Sequence, residues 1–404
     1  MSGRRDSLTG PIRVSEDGRY FVGADGQPLF WLGDTQWELF RLFRLDDIRR
    51  ILDSRQALGF TCLQIMLVGV DPLANVEGEL PWLDGDPARP NEKYFAHVDR
   101  AVELCAGYEM ALVVGVYHSV RMAGRVNPEN ARPWARWVAQ RYGGTPGIVW
   151  SMYPRALPEE VGLCRELAAG LRDGAGGAGL ITVHPDPSPA SSGSIVHEED
   201  WLAFNSIQTH RHVDLVRPMV AEDRARRPVK PVVMAEGAYE GGTGYGFDVT
   251  PLWLRRQAYY SYLAGGHHAY GHEDFWRIRP SWPEALDAAG ARQMGVLKKV
   301  FIERQEWWRL TPDPALLASG GCTGGRVLTL AARHPEGRWA VVYAAGPTRF
   351  SIDVDGLGAG RRLDAVWVDP RTGQALGRMP CRSVGRQAFA TPDGWPDGVC
   401  VLEP

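Results

Sequence analysis

Lysine is nearly missing. Of 45 basic residues only Lys93, Lys230, Lys298 and Lys299 are lysines, and the arginines that supply the rest form no cluster. Against 48 acidic residues the net charge is −3, so no basic field exists to hold nucleic acid or an anionic membrane. No uninterrupted run of about 18 apolar residues occurs, which removes a transmembrane helix. The opening MSGRRDSLTGPIRVSEDG lacks an apolar segment of signal-peptide length, and the expectation is a cytoplasmic protein. Six cysteines (Cys62, Cys105, Cys164, Cys322, Cys381, Cys400) stand far apart with no CxxC pair, and three of them sit in apolar or helical runs, where a buried free thiol is expected. There is no GxSxG elbow for a serine hydrolase and no HExxH for a zinc site. The first strand is followed by Gly33-Asp34-Thr35-Gln36-Trp37 rather than a glycine-rich phosphate loop, which argues against a nucleotide fold. Neither a metal nor a cofactor is implied.

What is abundant is aromatic. Fifteen Trp accompany 13 Tyr and 12 Phe, and many tryptophans stand beside polar groups rather than inside apolar runs. Flat rings of that kind either pack a core or stack on the C–H faces of sugars. The 404 residues, 44% of them hydrophobic, suit a barrel of roughly 250–300 residues plus a smaller module.

Two Asp-Gly turns, Asp17-Gly18 and Asp25-Gly26, predict a hairpin that leads into a first buried strand at Leu29 to Gly33. Further strand-like runs are FTCLQIML (60–67), MALVVGVY (110–117), GIVWSM (147–152), LITVH (180–184), FNSIQT (204–209), PVVMAE (231–236) and GGHHAYG (265–271). Helical periodicity lies between them, at about 45–58, 92–107, 130–142, 158–172, 213–226, 251–263 and 285–308. Eight strands with helical crossovers predict a (β/α)8 TIM barrel over residues 1–310. Beyond it, RVLTLAA, WAVVYAA, FSIDV and LDAVWVD alternate with turns and no helical pattern. Residues 311–404 therefore read as a C-terminal antiparallel β-sandwich.

A barrel builds its site at the C-terminal ends of its strands. Eight of the ten histidines fall at or just after predicted strand ends: His118, His184, His197, His210, His212, His267, His268 and His272. A polar pocket at one face is expected from that sorting. Glu236, a single carboxylate closing the apolar run Val232–Ala235, is the candidate catalytic group. Asp34, Trp37, Asn205, Gln208 and Tyr270 join the histidines as candidates to bind substrate hydroxyls, or else to cap and pack. Imidazole, amide and carboxylate groups beside tryptophan fit a small carbohydrate partner best.

Several segments then become distinctive: PLFWLGDTQWELF (28–40), SSGSIVHEEDWLAFNSIQTH (191–210), KPVVMAEGAYE (230–240) and GGHHAYGHEDFW (265–276). Together they resemble the apiosidase-like glycoside hydrolases. The tail, with WVDPRTG (367–373), is similar to the β-sandwich that follows the barrel in that family and is named for collagen binding. The resemblance implies a retaining mechanism with two carboxylates about 5 Å apart. Its nucleophile ends the seventh barrel strand, where Glu236 stands; its acid/base Asp follows the fourth, in a Trp-x-x-Gly-Gly-Asp-like segment.

The fourth strand departs from that pattern. In IVWSMYPRALPEE (148–160) Trp150 aligns, Tyr153-Pro154 replace the glycines, and Arg155 stands where the Asp should be. Arginine cannot release a proton near neutral pH. Three readings remain open. Another side chain supplies the proton, with His118 best placed and Asp71, Glu240 and Asp274 behind it. Alternatively Arg155 binds an acidic group on the substrate. Or hydrolysis is lost and the protein only binds carbohydrate. The proposed sugar subsite comprises Asp34, Trp37, Arg155, His184, Asn205, Gln208, His210, His268, Tyr270, His272 and Trp276. A collagen-directed role is suggested only by the name of the tail domain.

Overall fold

The computed structural model describes residues 10–153, 158–186, 188, 190–358, 362–382 and 384–404. Strands β1 (Arg13–Val14), β2 (Phe21–Val22) and β3 (Pro28–Leu29) form an antiparallel hairpin sheet. Leu29 pairs back onto Phe21, so the first barrel strand cannot begin there as expected; it begins three residues later.

The barrel strands are β4 (Leu32–Thr35), β5 (Cys62–Met66), β6 (Ala111–His118), β7 (Ile148–Tyr153), β8 (Leu180–Val183), β9 (Asn205–His210), β10 (Val232–Gly237) and β11 (His267–Gly271). All neighbouring pairs are parallel, in the order β8-β7-β6-β5-β4-β11-β10-β9. At the β8–β9 seam Thr182 Oγ1 donates to the Phe204 carbonyl at 2.9 Å, and Ala203 N–H donates to Ile181 O at 2.8 Å. One side-chain and one backbone bond thus finish the ring where the strand ladder stops.

The hairpin plugs one end. Phe21 packs on Trp31 and Phe204 with ring centroids 4.4 and 5.1 Å apart, in a cluster with Cys62, Ala111, Val149 and Val233. Those residues sit at or near the starts of their strands, so the hairpin seals the bottom and leaves the opposite mouth for chemistry.

The C-terminal module is a sandwich of two antiparallel sheets. The larger runs Thr311–Pro312, Val327–Arg333, Ala340–Ala344, Gly398–Glu403, Asp364–Val368, Met379–Pro380; the smaller runs Leu317–Gly320, Arg349–Asp353, Arg386–Ala390. Phe350, Ile352, Trp367 and Leu402 fill the space between them. The outer face of the larger sheet carries Val341, Tyr343, Val399 and Val401, which share one buried cluster with Leu254, Tyr259 and Phe301 of the barrel helices. Tyr259 and Tyr343 stack at 4.3 Å. Arg255 grips Asp397 at 2.6 and 2.8 Å, and Tyr343 Oη donates to the same carboxylate at 2.8 Å. The change of architecture at residue 310 is therefore not a break in the core. All six cysteines are free. Among the described residues no helix is long and apolar enough to cross a membrane.

Candidate active site

The seventh barrel strand is irregular where it matters. Pairing of β10 with β9 slips on both sides of Glu236, which opposes Gln208, and Gly237 then opposes His210. Such bulges re-aim a side chain at the cost of local ladder bonds. One carbonyl in the irregular stretch, Ala235 O, accepts from Gln64 Nε2 at 2.9 Å. Beyond it, Gln257 brackets Ala238, accepting from its N–H at 2.8 Å and donating to its carbonyl at 3.2 Å. A side chain on Gly237 would collide with that amide, since an added Cβ would lie 2.7 Å from Gln257 Nε2. The glycine after the acid is thus required by close approach.

Glu236 is delivered into a cavity of about 430 Å³ lined by Trp37, His118, Tyr153, Asp186, His210, Tyr239, Tyr245, Glu273 and Trp276, among others. Its side chain is only 12% exposed, and burial pushes the carboxyl up to about 8, opposed by hydrogen bonding from Tyr239 and Gln208 and reinforced by Asp186. Two chains of bonds hold those partners. Trp37 Nε1 donates to Tyr239 Oη at 2.9 Å, and Tyr153 Oη donates to Gln208 Oε1 at 2.9 Å. With its Oε1 so occupied, Gln208 presents its NH2 as a donor. Burial pushes both phenols up as well, so they remain donors.

Tyr153 ends the fourth strand and lies between two imidazoles, 4.5 Å from His118 and 4.4 Å from His184 by ring centroid. His118 Nδ1 accepts from the N–H groups of Val120 and Arg121 at 3.2 and 3.3 Å. His184 Nε2 is 3.5 Å from Glu236 Oε2, and burial pulls this imidazole down to about 3. His210 has φ of 50°, a strained backbone for a non-glycine residue at a cavity wall. Arg121 and Arg277 also line the cavity, but each is paired, to Asp71 at 3.4 Å and to Glu273 at 3.0 Å.

Of the residues expected from sequence, Glu236, His118, Trp37, His210 and Trp276 meet in this cavity, with Gln208 and His184 behind Glu236. Others do not reach it. Asp34 is fully buried in an ion pair with Arg55 at 2.7 Å and accepts from Gln36. Asn205 turns to His197 at 3.1 Å. Tyr270 donates to Glu240 at 2.6 Å, deep in the wall. His272 caps the helix Glu273–Arg277 by accepting from Asp274 N–H. His268 is buried, and neither of its ring nitrogens meets a partner among the described residues. The histidines therefore do not gather at one pocket, because strand-end positions include both barrel interior and loop caps. Arg155 lies outside the described residues. Tyr239, Tyr245, Asp186 and Glu273 were not anticipated; the tyrosines follow Glu236 in a loop whose course no local pattern fixes. Among the described residues no group of three or more His, Cys, Asp or Glu could hold a metal ion.

Two family models match the chain: residues 15–309 fit "Apiosidase-like, catalytic domain", and residues 311–403 fit "Putative collagen-binding domain of a collagenase". A solved structure described as a glycoside hydrolase superposes with a TM-score of 0.88 at 23% identity, over 98% of this chain and 97% of that one. A glycoside hydrolase family 5 protein from Bacteroides vulgatus superposes with a TM-score of 0.87 at 24% identity, over 98% and 93%. At such identities these likenesses speak for the fold alone. No curated protein matches the chain in sequence.

Proposed function

Because this chain belongs to the apiosidase-like family through residues 15–309, we propose that it is a glycoside hydrolase acting on a short oligosaccharide or glycoside, with Glu236 as nucleophile. The observation that carries this reading is the position of Glu236: a carboxyl at the end of the seventh barrel strand, opening on an aromatic-walled cavity of about 430 Å³. That volume falls within the roughly 300–1,000 Å³ of small-molecule sites.

The parts divide as follows. Trp37 and Trp276 offer faces for a sugar ring, and His118, His210 and Tyr245 offer polar edges for its hydroxyls. Tyr239 and Gln208 orient the Glu236 carboxylate and favour its charged form, in opposition to burial. An ionised Glu236 oxygen attacks the anomeric carbon, the leaving group departs, and water later releases the sugar from the enzyme ester.

The rival reading, a carbohydrate-binding protein without turnover, is favoured by one feature: Arg155 in place of the strand-four acid. A panel of aryl glycosides and oligosaccharides separates the two. Turnover that Glu236→Gln abolishes supports the hydrolase. Saturable sugar binding with no turnover, unaffected by that substitution, supports the binder.

A further inference from the structure

A sugar leaving group with an ordinary hydroxyl needs a proton, and the fourth strand does not provide one. Tyr153 occupies that strand's end, its hydroxyl already donating to Gln208. His118, beside it, accepts two backbone N–H groups at Nδ1. That geometry selects the Nε2–H tautomer, a hydrogen-bond donor. To act as a general acid the ring would have to carry a second proton at Nδ1, facing two donors, and both bonds would be lost.

The carboxyls are fewer than the sequence suggests. Glu240 is spoken for by Tyr270 Oη at 2.6 Å and Gly290 N–H at 2.9 Å, under the surface. Asp274 accepts from Ser281 at 2.6 Å and Arg279 at 3.3 Å, and Asp71 faces Arg121. Among the described residues only Asp186, Glu236 and Glu273 bring carboxyls to the cavity wall. Glu273 is committed to Arg277 at 3.0 Å and Arg279 at 3.8 Å.

The loop that carries Asp186 is fixed from both sides. It follows β8, the fifth barrel strand, through His184-Pro185, and the proline fixes the backbone at that turn. Before it, His184 N–H donates to Met152 O on the fourth strand at 2.6 Å. After it, Ser188 N–H donates to Gln208 O on the sixth at 2.7 Å. The loop is thus pinned to both neighbouring strands within four residues. One of the pins is Gln208, which also orients Glu236.

We propose that Asp186 is the acid/base of this site, replacing the acid that the fourth strand lacks. The inference rests on the hydrolase reading. In the first step a Glu236 oxygen bonds to the anomeric carbon as the glycosidic C–O bond breaks, and the Asp186 proton passes to the leaving oxygen. In the second, the Asp186 carboxylate takes a proton from water while the water oxygen bonds to the anomeric carbon and the Glu236 ester bond breaks. The Asp186 charge is felt at both Glu236 and Tyr153, which puts its carboxyl beside the proposed nucleophile.

The test compares wild type, Glu236→Gln, Asp186→Asn, Asp186→Ala and His118→Gln on matched pairs of dinitrophenyl and methoxyphenyl glycosides. The first leaving group departs without a proton and the second needs one. With Asp186→Asn, kcat/KM should fall at least about 100-fold on methoxyphenyl glycosides and less than about tenfold on dinitrophenyl ones. Azide should restore turnover of dinitrophenyl glycosides by Asp186→Ala and yield a glycosyl azide of retained configuration. An equal loss on both leaving groups, no loss at all, or the selective loss in His118→Gln instead overturns Asp186 while leaving the hydrolase reading intact. A wild type inert on every glycoside, or turnover that survives Glu236→Gln, overturns both.

Discussion

His184 Nε2 stands 3.5 Å from Glu236 Oε2, at ion-pair distance, yet near neutral pH the two are not an ion pair. Burial pushes the carboxyl up to about 8 and pulls the imidazole down to about 3, so each is held in its uncharged form. Desolvation outweighs mutual attraction here, as it does for many buried charges.

The nucleophile must therefore lose a proton to work. On a dinitrophenyl glycoside, whose departure needs no acid, kcat/KM should follow the ionised fraction of Glu236 and rise about tenfold between about pH 7 and pH 9. A flat or falling profile over that interval would overturn Glu236 as the nucleophile. Its folded pKa lies above the ordinary carboxyl value of 4.5, so its stabilising contribution is complete below that value and lost as pH climbs through about 8. Glu236→Gln should then gain stability relative to wild type on going from about pH 5 to about pH 9, by more than about 1 kcal/mol in denaturant titrations.

His268 makes the opposite prediction. Burial alone pulls it down to about 3, below the ordinary imidazole value of 6.5. Its contribution is present above about pH 6.5 and is lost as pH falls toward the folded value, because the unfolded chain binds the proton first. His268→Leu should lessen the loss of stability between about pH 7 and pH 4, measured by denaturant midpoints at each pH.

Asp34 and Arg55 are both fully buried and 2.7 Å apart. Removing one partner strands the other, and Asp34→Ala should cost about 3–5 kcal/mol in chemical unfolding. Because the carboxylate does not reach the cavity, KM of the folded variant should stay within about threefold of wild type. A large rise in KM without loss of stability would return Asp34 to the sugar subsite.

Asp397 holds Arg255 and Tyr343 together across the two modules. Asp397→Ala should lower the stability of the whole chain by about 3–5 kcal/mol. Calorimetry should show the effect on the barrel as well as the sandwich; a shift confined to a separate small transition would mean that the two unfold independently.

Much of this architecture was legible from periodicity. Seven of the eight strand-like runs overlap the barrel strands nearly residue for residue, because buried parallel strands read as short apolar runs between amphipathic helices. The first run begins too early because Leu29 is as apolar as the strand that follows and only its pairing with Phe21 separates them. The cavity position of Glu236 was legible for a physical reason: an acid that closes a buried strand needs an opening or a partner. Asp34 looked the same, but its partner sits inside a helix 21 residues on, and no local pattern announces that contact. Asp186 went unread although it stands directly behind a strand end. No local pattern sets it apart from other loop acids, and its place at the cavity follows from the pinning of the loop to Met152 and Gln208.

The shared cluster of Tyr259, Phe301, Tyr343 and Val401 has one more implication. A tail fastened by a flexible tether can be swapped among enzymes like an interchangeable fitting. This one cannot: taken away, it would strip a greasy, tyrosine-studded flank from the helices Pro251–Leu263 and Ala289–Ile302, and the remainder would clump in water. Here the tail serves as a permanent buttress, and the two halves are bound to change in step.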